Sequence, residues 1–200
     1  MINIPAPADA MHVFFVHGVA NKVMGILLFQ MCILRKDLPG TSIPEQVDSV
    51  WEFLRQYYLP HSPPIKKFTE QTFRSSQKTG IEGASFNAKA KETWDMWAGV
   101  YALVLQYCKN DVEITIAKHF NCIMELMGSH SLDDMDSQKW LTAELDFLGD
   151  YINAGFPATP KFHLMQHIFL QFQHDCAPRY ASPELGEEPG WWAGEARWSA

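Results

Sequence analysis

Apolar residues recur every three or four positions over long stretches of this chain, and this spacing predicts α-helices. After an early Pro-Gly break, for example, Val47, Val50 and Leu54 share one face of a helix that should end before Pro60. Alternating apolar runs and hairpin dipeptides, the usual signs of strands, are nearly absent. The sequence therefore predicts an all-α fold with about six helices in an irregular bundle.

Capping residues, prolines and glycines mark the ends of the predicted helices. They give helices over about 9–35, 42–59, 87–109, 111–128, 137–153 and 160–175. The polar, Gly-punctuated segment 65–85 is predicted to be a flexible loop with one short helix near 69–76. We expect an extended segment over 1–8, a helical domain over 9–176, and a poorly ordered tail over 177–200, where Pro and Gly interrupt the periodicity.

Composition narrows the class of protein. An aromatic share of 13% in 200 residues argues against global disorder, because this much ring surface has to be buried. A net charge of -7 argues against a freestanding nucleic-acid binder, whose affinity would come from neutralising phosphates.

None of the four cysteines forms a Cys-x-x-Cys pair. Cys32, Cys108 and Cys122 are therefore predicted to be reduced and buried in an intracellular protein, nuclear or cytoplasmic.

The segment Val13 to Leu34 is the one candidate for a membrane span. Lys22 lies near its middle, where a charge in lipid is costly, and other polar residues interrupt the apolar run. We therefore expect this segment to be a core helix and the protein to have no membrane partner.

Three histidines fall on one stripe of the last predicted helix. His163, His167 and His174 lie within about 40° of one another at 100° per residue, and the stripe faces away from the apolar side. Imidazoles four residues apart can bind one metal ion, so these three are the candidate metal ligands. The alternative interpretation is a solvated polar face that is rich in histidine.

A second constellation pairs Tyr107 with Asp111. The spacing Tyr-x-x-x-Asp resembles a motif of proofreading 3′–5′ exonucleases, in which the aspartate holds a metal. Such enzymes also need an Asp-x-Glu on an upstream strand, and the sequence predicts no strand before this point. The alternative is an aromatic core residue followed by a helix N-cap.

The segment Asp9-Ala-Met-His-Val-Phe-Phe-Val-His-Gly-Val19 resembles the Asp-x-x-His motif of DDE transposases of the CACTA and Plavaka-like groups. In that family a long helical insertion of an RNase H-like domain follows, and a segment Pro-Lys-x-His-x-x-x-His lies near its end. This chain has Pro160-Lys-Phe-His-Leu-Met-Gln-His167 in the same order and at a similar separation. The resemblance covers roughly residues 9–179.

The resemblance implies a role for only two residues. Asp9 corresponds to a metal-binding acid and His12 to its motif partner, and the intact enzymes act on DNA with Mg²⁺ or Mn²⁺. The other acids of the family have no counterpart in matching context here, so we expect a transposase remnant without autonomous activity or a bound cofactor. The alternatives are a helical module that binds a protein partner without chemistry, and a metal-dependent nuclease fragment.

Overall fold

The protein is all-α, as the spacing of its apolar residues predicted. The computed structural model describes residues 10–74, 80–128 and 137–172, and within these ranges no strand forms beyond one isolated bridge between Arg74 and Ala84. Six of the helices have eleven residues or more. In chain order the helices are α1 (Ala10–Phe14), α2 (Val19–Phe29, continued by a π-helical segment over Gln30–Arg35), α3 (Ile43–Tyr57), α4 (Glu70–Phe73), α5 (Ala90–Tyr107), α6 (Asp111–Met127), α7 (Ser137–Asn153) and α8 (Pro160–Phe172), with a 3-10 turn at Gly80–Gly83.

Local capping explains the helix ends that the sequence predicted well. Ser42 caps α3, and the Glu45 carboxylate accepts hydrogen bonds from the backbone N–H groups of Ser42 and Thr41 at 2.9 and 2.7 Å. The Asn110 side chain caps α6 by accepting from the backbone of Val112 and Glu113. The predicted extended segment 1–8 and tail 177–200 lie outside the described residues.

The predicted first helix is divided, which corrects the expectation of one helix from Asp9 to Arg35. A turn at His17 and Gly18 separates α1 from α2, and His17 has a left-handed φ of 50°. A Cβ at Gly18 would lie 2.1 Å from the carbonyl oxygen of Val13, so only glycine fits this close approach.

Every residue of α2 is buried, including Asn21 and Lys22. By length and apolar character the stretch His12–Arg35 could cross a membrane, and 83% of its apolar window is buried inside the protein. A core helix meets the same criteria of length and apolarity. In this fold α1, α3, α4 and α5 pack against α2 and its π-helical continuation.

The 3-10 turn and the residues that follow it pack directly on α2. Lys22 donates to the carbonyl oxygens of Glu82 and Ala84, both at 2.9 Å, and the Asn21 side chain donates to that of Phe86 at 2.8 Å. These bonds hold residues 80–86 in place, so this part of the predicted flexible loop has defined structure. They also satisfy the polar groups that burial of α2 removes from water.

Aromatic contacts join the later helices into one core. Trp97 of α5 meets Phe120 of α6 edge-to-face at 4.8 Å, and Phe120 meets Phe147 of α7 at 5.1 Å. Phe162 of α8 stacks on Phe147 at 6.2 Å. The three ring pairs form a continuous path from α5 to α8 through the bundle.

A partly buried ion cluster lies at the end of the π-helical segment that continues α2. Arg35 donates both terminal nitrogens to the Glu113 carboxylate, at 2.5 and 2.7 Å, and its Nε to Asp37 at 2.9 Å. Burial opposes the charge on Arg35, but its hydrogen bonds to the two carboxylates and their negative charges raise its pKa above the usual value. Cys108 lies in the same cluster, and burial raises its pKa to about 11.

Cys32 and Cys108 are buried as predicted, whereas the prediction for Cys122 is wrong because its side chain is exposed.

Gly25 is the point where the segment 80–86 touches α2. A Cβ there would lie 2.3 Å from the Cα of Ser85 and 2.4 Å from its nitrogen, so Gly25→Ala must push two backbones apart. We expect the free energy of unfolding to fall by about 1–3 kcal/mol, the usual range for overpacking. Gly149→Ala in α7 is the matched control, because nothing lies within 4 Å of its Cβ. Alanine there should raise the free energy of unfolding by up to about 1 kcal/mol.

Chemical denaturation of the two variants measures both effects. Equal changes in unfolding midpoint for Gly25→Ala and Gly149→Ala would show that the segment 80–86 does not press on α2.

Candidate functional site at the junction of the first and last helices

The two segments that carry the family resemblance meet in space. Lys161 of α8 donates from its Nζ to the carbonyl oxygen of His12 at 2.8 Å and also to that of Val16. These partners are separated by 149 and 145 residues in the sequence. Asp9, the predicted acid, lies just outside the described residues, and the His12 side chain is exposed at the surface of α1.

Helix geometry explains why α1 needs a donor at this place. The last carbonyl groups of a helix have no intrahelical partner, and α1 ends only two residues after His12. The turn at His17 prevents the chain from continuing the helix into α2. The ammonium group of Lys161 donates to the α1 carbonyl of His12 and to the carbonyl of Val16 in the turn after α1, and it places a positive charge at the negative end of the helix dipole. Partial burial of this ammonium lowers its pKa.

The opposite face of α1 is fixed by apolar packing. Val13 and Phe14 are buried, and so is Phe15, the residue after α1, which meets Trp94 of α5 edge-to-face at 5.1 Å. The junction is therefore anchored from both sides: the core holds the apolar face of α1, and α8 holds its carbonyl end.

The predicted histidine stripe does face away from the core. His163 is exposed and His167 is partly exposed, and their Nε2 atoms lie 3.0 Å apart at hydrogen-bond distance. Leu164, between them, is 40% exposed. His174 lies outside the described residues. In the part of the chain that the structure describes, no three His, Cys, Asp or Glu side chains are placed to hold one metal.

Tyr107 and Asp111 lie at the joint between α5 and α6. The Tyr107 ring packs edge-to-face on Phe53 at 5.9 Å and lines a groove of about 540 Å³ between α3 and α5. Asp111 is the first residue of α6, immediately after the Asn110 cap. Tyr107 is half-buried against the core, and the cap of α6 is Asn110 rather than Asp111.

Sequence reasoning missed Glu144, a buried acid of α7. Its side chain is 2% exposed, and neither carboxylate oxygen has a hydrogen-bond partner among the described residues. Burial raises its pKa to about 7, although the nearby Trp140 indole lowers it by a smaller amount. The signal was the spacing: Glu144 falls in the apolar stripe of α7 between Trp140 and Phe147.

Replacing Lys161 by Met tests the junction. Methionine keeps the aliphatic bulk but leaves the carbonyl groups of His12 and Val16 without their donor. Because hydrogen bonds to charged groups contribute about 1.5–3 kcal/mol and this site is partly solvated, we expect a loss of about 1–2 kcal/mol in the free energy of unfolding. Amide hydrogen exchange at the start of α2 should rise as the α1 turn loosens.

Lys91→Met is the control, because Lys91 pairs with Asp95 on the surface of α5. This variant should change stability by less than about 1 kcal/mol. Unchanged exchange near α1 in Lys161→Met would contradict a holding role for Lys161.

Glu144 predicts an unusual dependence of stability on pH. Between pH 4.5, the ordinary pKa, and about 7, the folded protein keeps the Glu144 proton while the unfolded chain releases it. The free energy of unfolding should therefore fall as pH rises through this window, by about 3 kcal/mol in total. Glu144→Gln should remove this decline. The free energy of unfolding of the variant minus that of the parent protein should therefore increase from pH 5 to pH 8, and urea unfolding at the two pH values measures this difference.

Glu52→Gln is the control because Glu52 is exposed, and it should follow the parent protein at both pH values. Parallel pH profiles for Glu144→Gln and the parent would refute the raised pKa.

Comparison with known proteins does not assign this chain to a family. No family model matches the sequence, and neither a curated protein nor a solved structure matches it. Any function assigned to the chain therefore rests on the contacts between α1 and α8 and on the residues that they bring together.

Proposed function

We propose that this chain is a transposon-derived part of a DDE-type transposase that acts on DNA only together with acids it does not itself supply. The single observation that carries the proposal is the contact from Lys161 to the carbonyl oxygens of His12 and Val16. It links the two segments whose sequences resemble the family.

The contact matters because of what an insertion requires. A domain inserted into another domain leaves and re-enters its host at neighbouring points, so the two ends of the insertion have to lie close together. The Asp-x-x-His and Pro-Lys-x-His segments are the expected ends. The lysine of the second segment donates to the backbone of the first, and the described chain between them is helical. This arrangement supports the proposal through the spatial closeness of the two segments as well as through their residue types.

The proposed chemistry explains why the chain should be inactive alone. Strand transfer uses carboxylates that hold two metal ions about 4 Å apart, which activate the attacking oxygen and stabilise the leaving one. Asp9 is the one acid that the family motif provides. Mg²⁺ or Mn²⁺ would be bound productively only when further acids, on strands of an RNase H-like domain, complete the set.

The genomic locus provides the first test. We expect terminal inverted repeats around it and an in-frame upstream segment that encodes an aspartate-bearing strand. A locus without either feature would contradict the transposase proposal and would favour a helical interaction module without chemistry.

Plasmid cleavage provides the second test. The chain alone, with MnCl₂ and supercoiled plasmid, should cleave no faster than its Asp9→Asn variant. A longer protein that includes all the missing acids should cleave, and Asp9→Asn should abolish this activity. Cleavage by the chain alone that is lost in Asp111→Ala and retained in Asp9→Asn would replace the proposal by the nuclease alternative.

A further inference from the structure

Helix α8 presents two imidazole rings to solvent, one turn apart. The Nε2 atoms of His163 and His167 lie 3.0 Å from each other, and the ring planes are nearly perpendicular at 88°. The two Nε2 atoms thus lie close enough for small side-chain rotations to bring both to one ion. This geometry is independent of the transposase proposal.

The rest of α8 fixes the helix that carries these rings. Phe162, Met165 and Ile168 are buried on the opposite face, with exposures of 3%, 0% and 0%. Lys161 ties the start of the helix to α1. Because the backbone is held on two sides, the two histidines need only adjust their side-chain torsions to meet a ligand, and little backbone order has to be gained on binding.

We propose that His163 and His167 form a two-imidazole chelate for a divalent first-row transition-metal ion. A tetrahedral ion with nitrogen ligands at about 2.0–2.1 Å separates two such ligands by about 3.3 Å, close to the spacing found here. Without metal, one ring donates an Nε2–H to the other. With metal, both rings adopt the Nδ1–H tautomer and the ion takes the place of the shared hydrogen, so the number of protons on the pair is unchanged.

The ligand set defines which ions should bind. Imidazole favours Cu²⁺, Ni²⁺ and Zn²⁺, whereas Mg²⁺ and Mn²⁺ favour oxygen ligands, and affinity should follow the order in which Cu²⁺ exceeds Ni²⁺ and Zn²⁺. Since no third ligand is placed beside the pair among the described side chains, water completes the coordination. The site is therefore distinct from the Mg²⁺ or Mn²⁺ chemistry of a transposase and should exchange its ion readily.

Calorimetric titration of the full chain with CuCl₂, NiCl₂ and ZnCl₂, after treatment with a chelator, tests the proposal. We expect His163→Gln and His167→Gln each to weaken Ni²⁺ binding by about tenfold or more, because loss of either ring removes the intramolecular advantage of the second ligand. His61→Gln is the matched control, since it removes an exposed histidine from a turn far along the chain. It should bind Ni²⁺ like the parent protein.

Electron paramagnetic resonance of the Cu²⁺ form gives a readout that a folding defect would not mimic. The parent protein and His61→Gln should show coupling to two imidazole nitrogens, and each α8 variant to one. Circular dichroism should be the same in all four proteins, because both α8 side chains face solvent. Ni²⁺ affinities of the two α8 variants equal to that of the parent, or an equal loss in His61→Gln, would overturn the chelate.

Discussion

The burial of α2 on all sides is the constraint on which the rest of the structure depends. A helix without a solvent-facing side has to be enclosed, and two of its enclosed residues, Asn21 and Lys22, carry groups that are costly to bury without partners. Backbone carbonyl oxygens of residues 82–86 supply those partners. These bonds fix the position of residues 82–86 along α2. At that position Gly25 leaves room for their backbone. Burial of apolar side chains favours packing around α2, and the hydrogen bonds of Asn21 and Lys22 select one position for the segment that packs on it.

Hydrogen bonds from a basic side chain to a distant segment also occur at two other contacts between helices. Lys22, Arg35 and Lys161 each reach across a large sequence separation to oxygen acceptors on another segment. Arg35 joins the end of the α2 unit to the start of α6, and Lys161 joins α8 to α1. At the buried Lys22 contact, removal of one partner leaves the other desolvated and unpaired, which costs more than the contact itself contributes, whereas the more exposed Lys161 contact costs less to lose. These three cations therefore specify how the helices are ordered in space, while apolar burial supplies most of the stability.

Sequence reasoning succeeded where the signal is local and failed where it is tertiary. The capping box at Ser42, the Asn110 cap and the limits Ser137–Asn153 follow from residues close together in the chain, and the structure has them as predicted. The division at Gly18 depends on the carbonyl group of Val13 coming within reach, and the order of residues 80–86 depends on Lys22, some 60 residues away. Periodicity contains neither fact. Glu144 is intermediate, because its place in the apolar stripe was visible although its lack of a hydrogen-bond partner was not.

The candidate site on α8 likewise has one part that the local sequence determines and one part that depends on the tertiary fold. The outward direction of His163 and His167 follows from helical spacing alone, whereas the inward reach of Lys161 to α1 requires the whole bundle to bring α8 there. The family resemblance rests on residue types in two short segments, and residue types can coincide by chance. A hydrogen bond between the backbone of one segment and the lysine of the other is a different kind of observation, since it depends on folding of everything between them. For this reason the junction, rather than the histidine stripe, carries the proposed function, and the stripe carries a separate chemistry on the opposite face of the same helix.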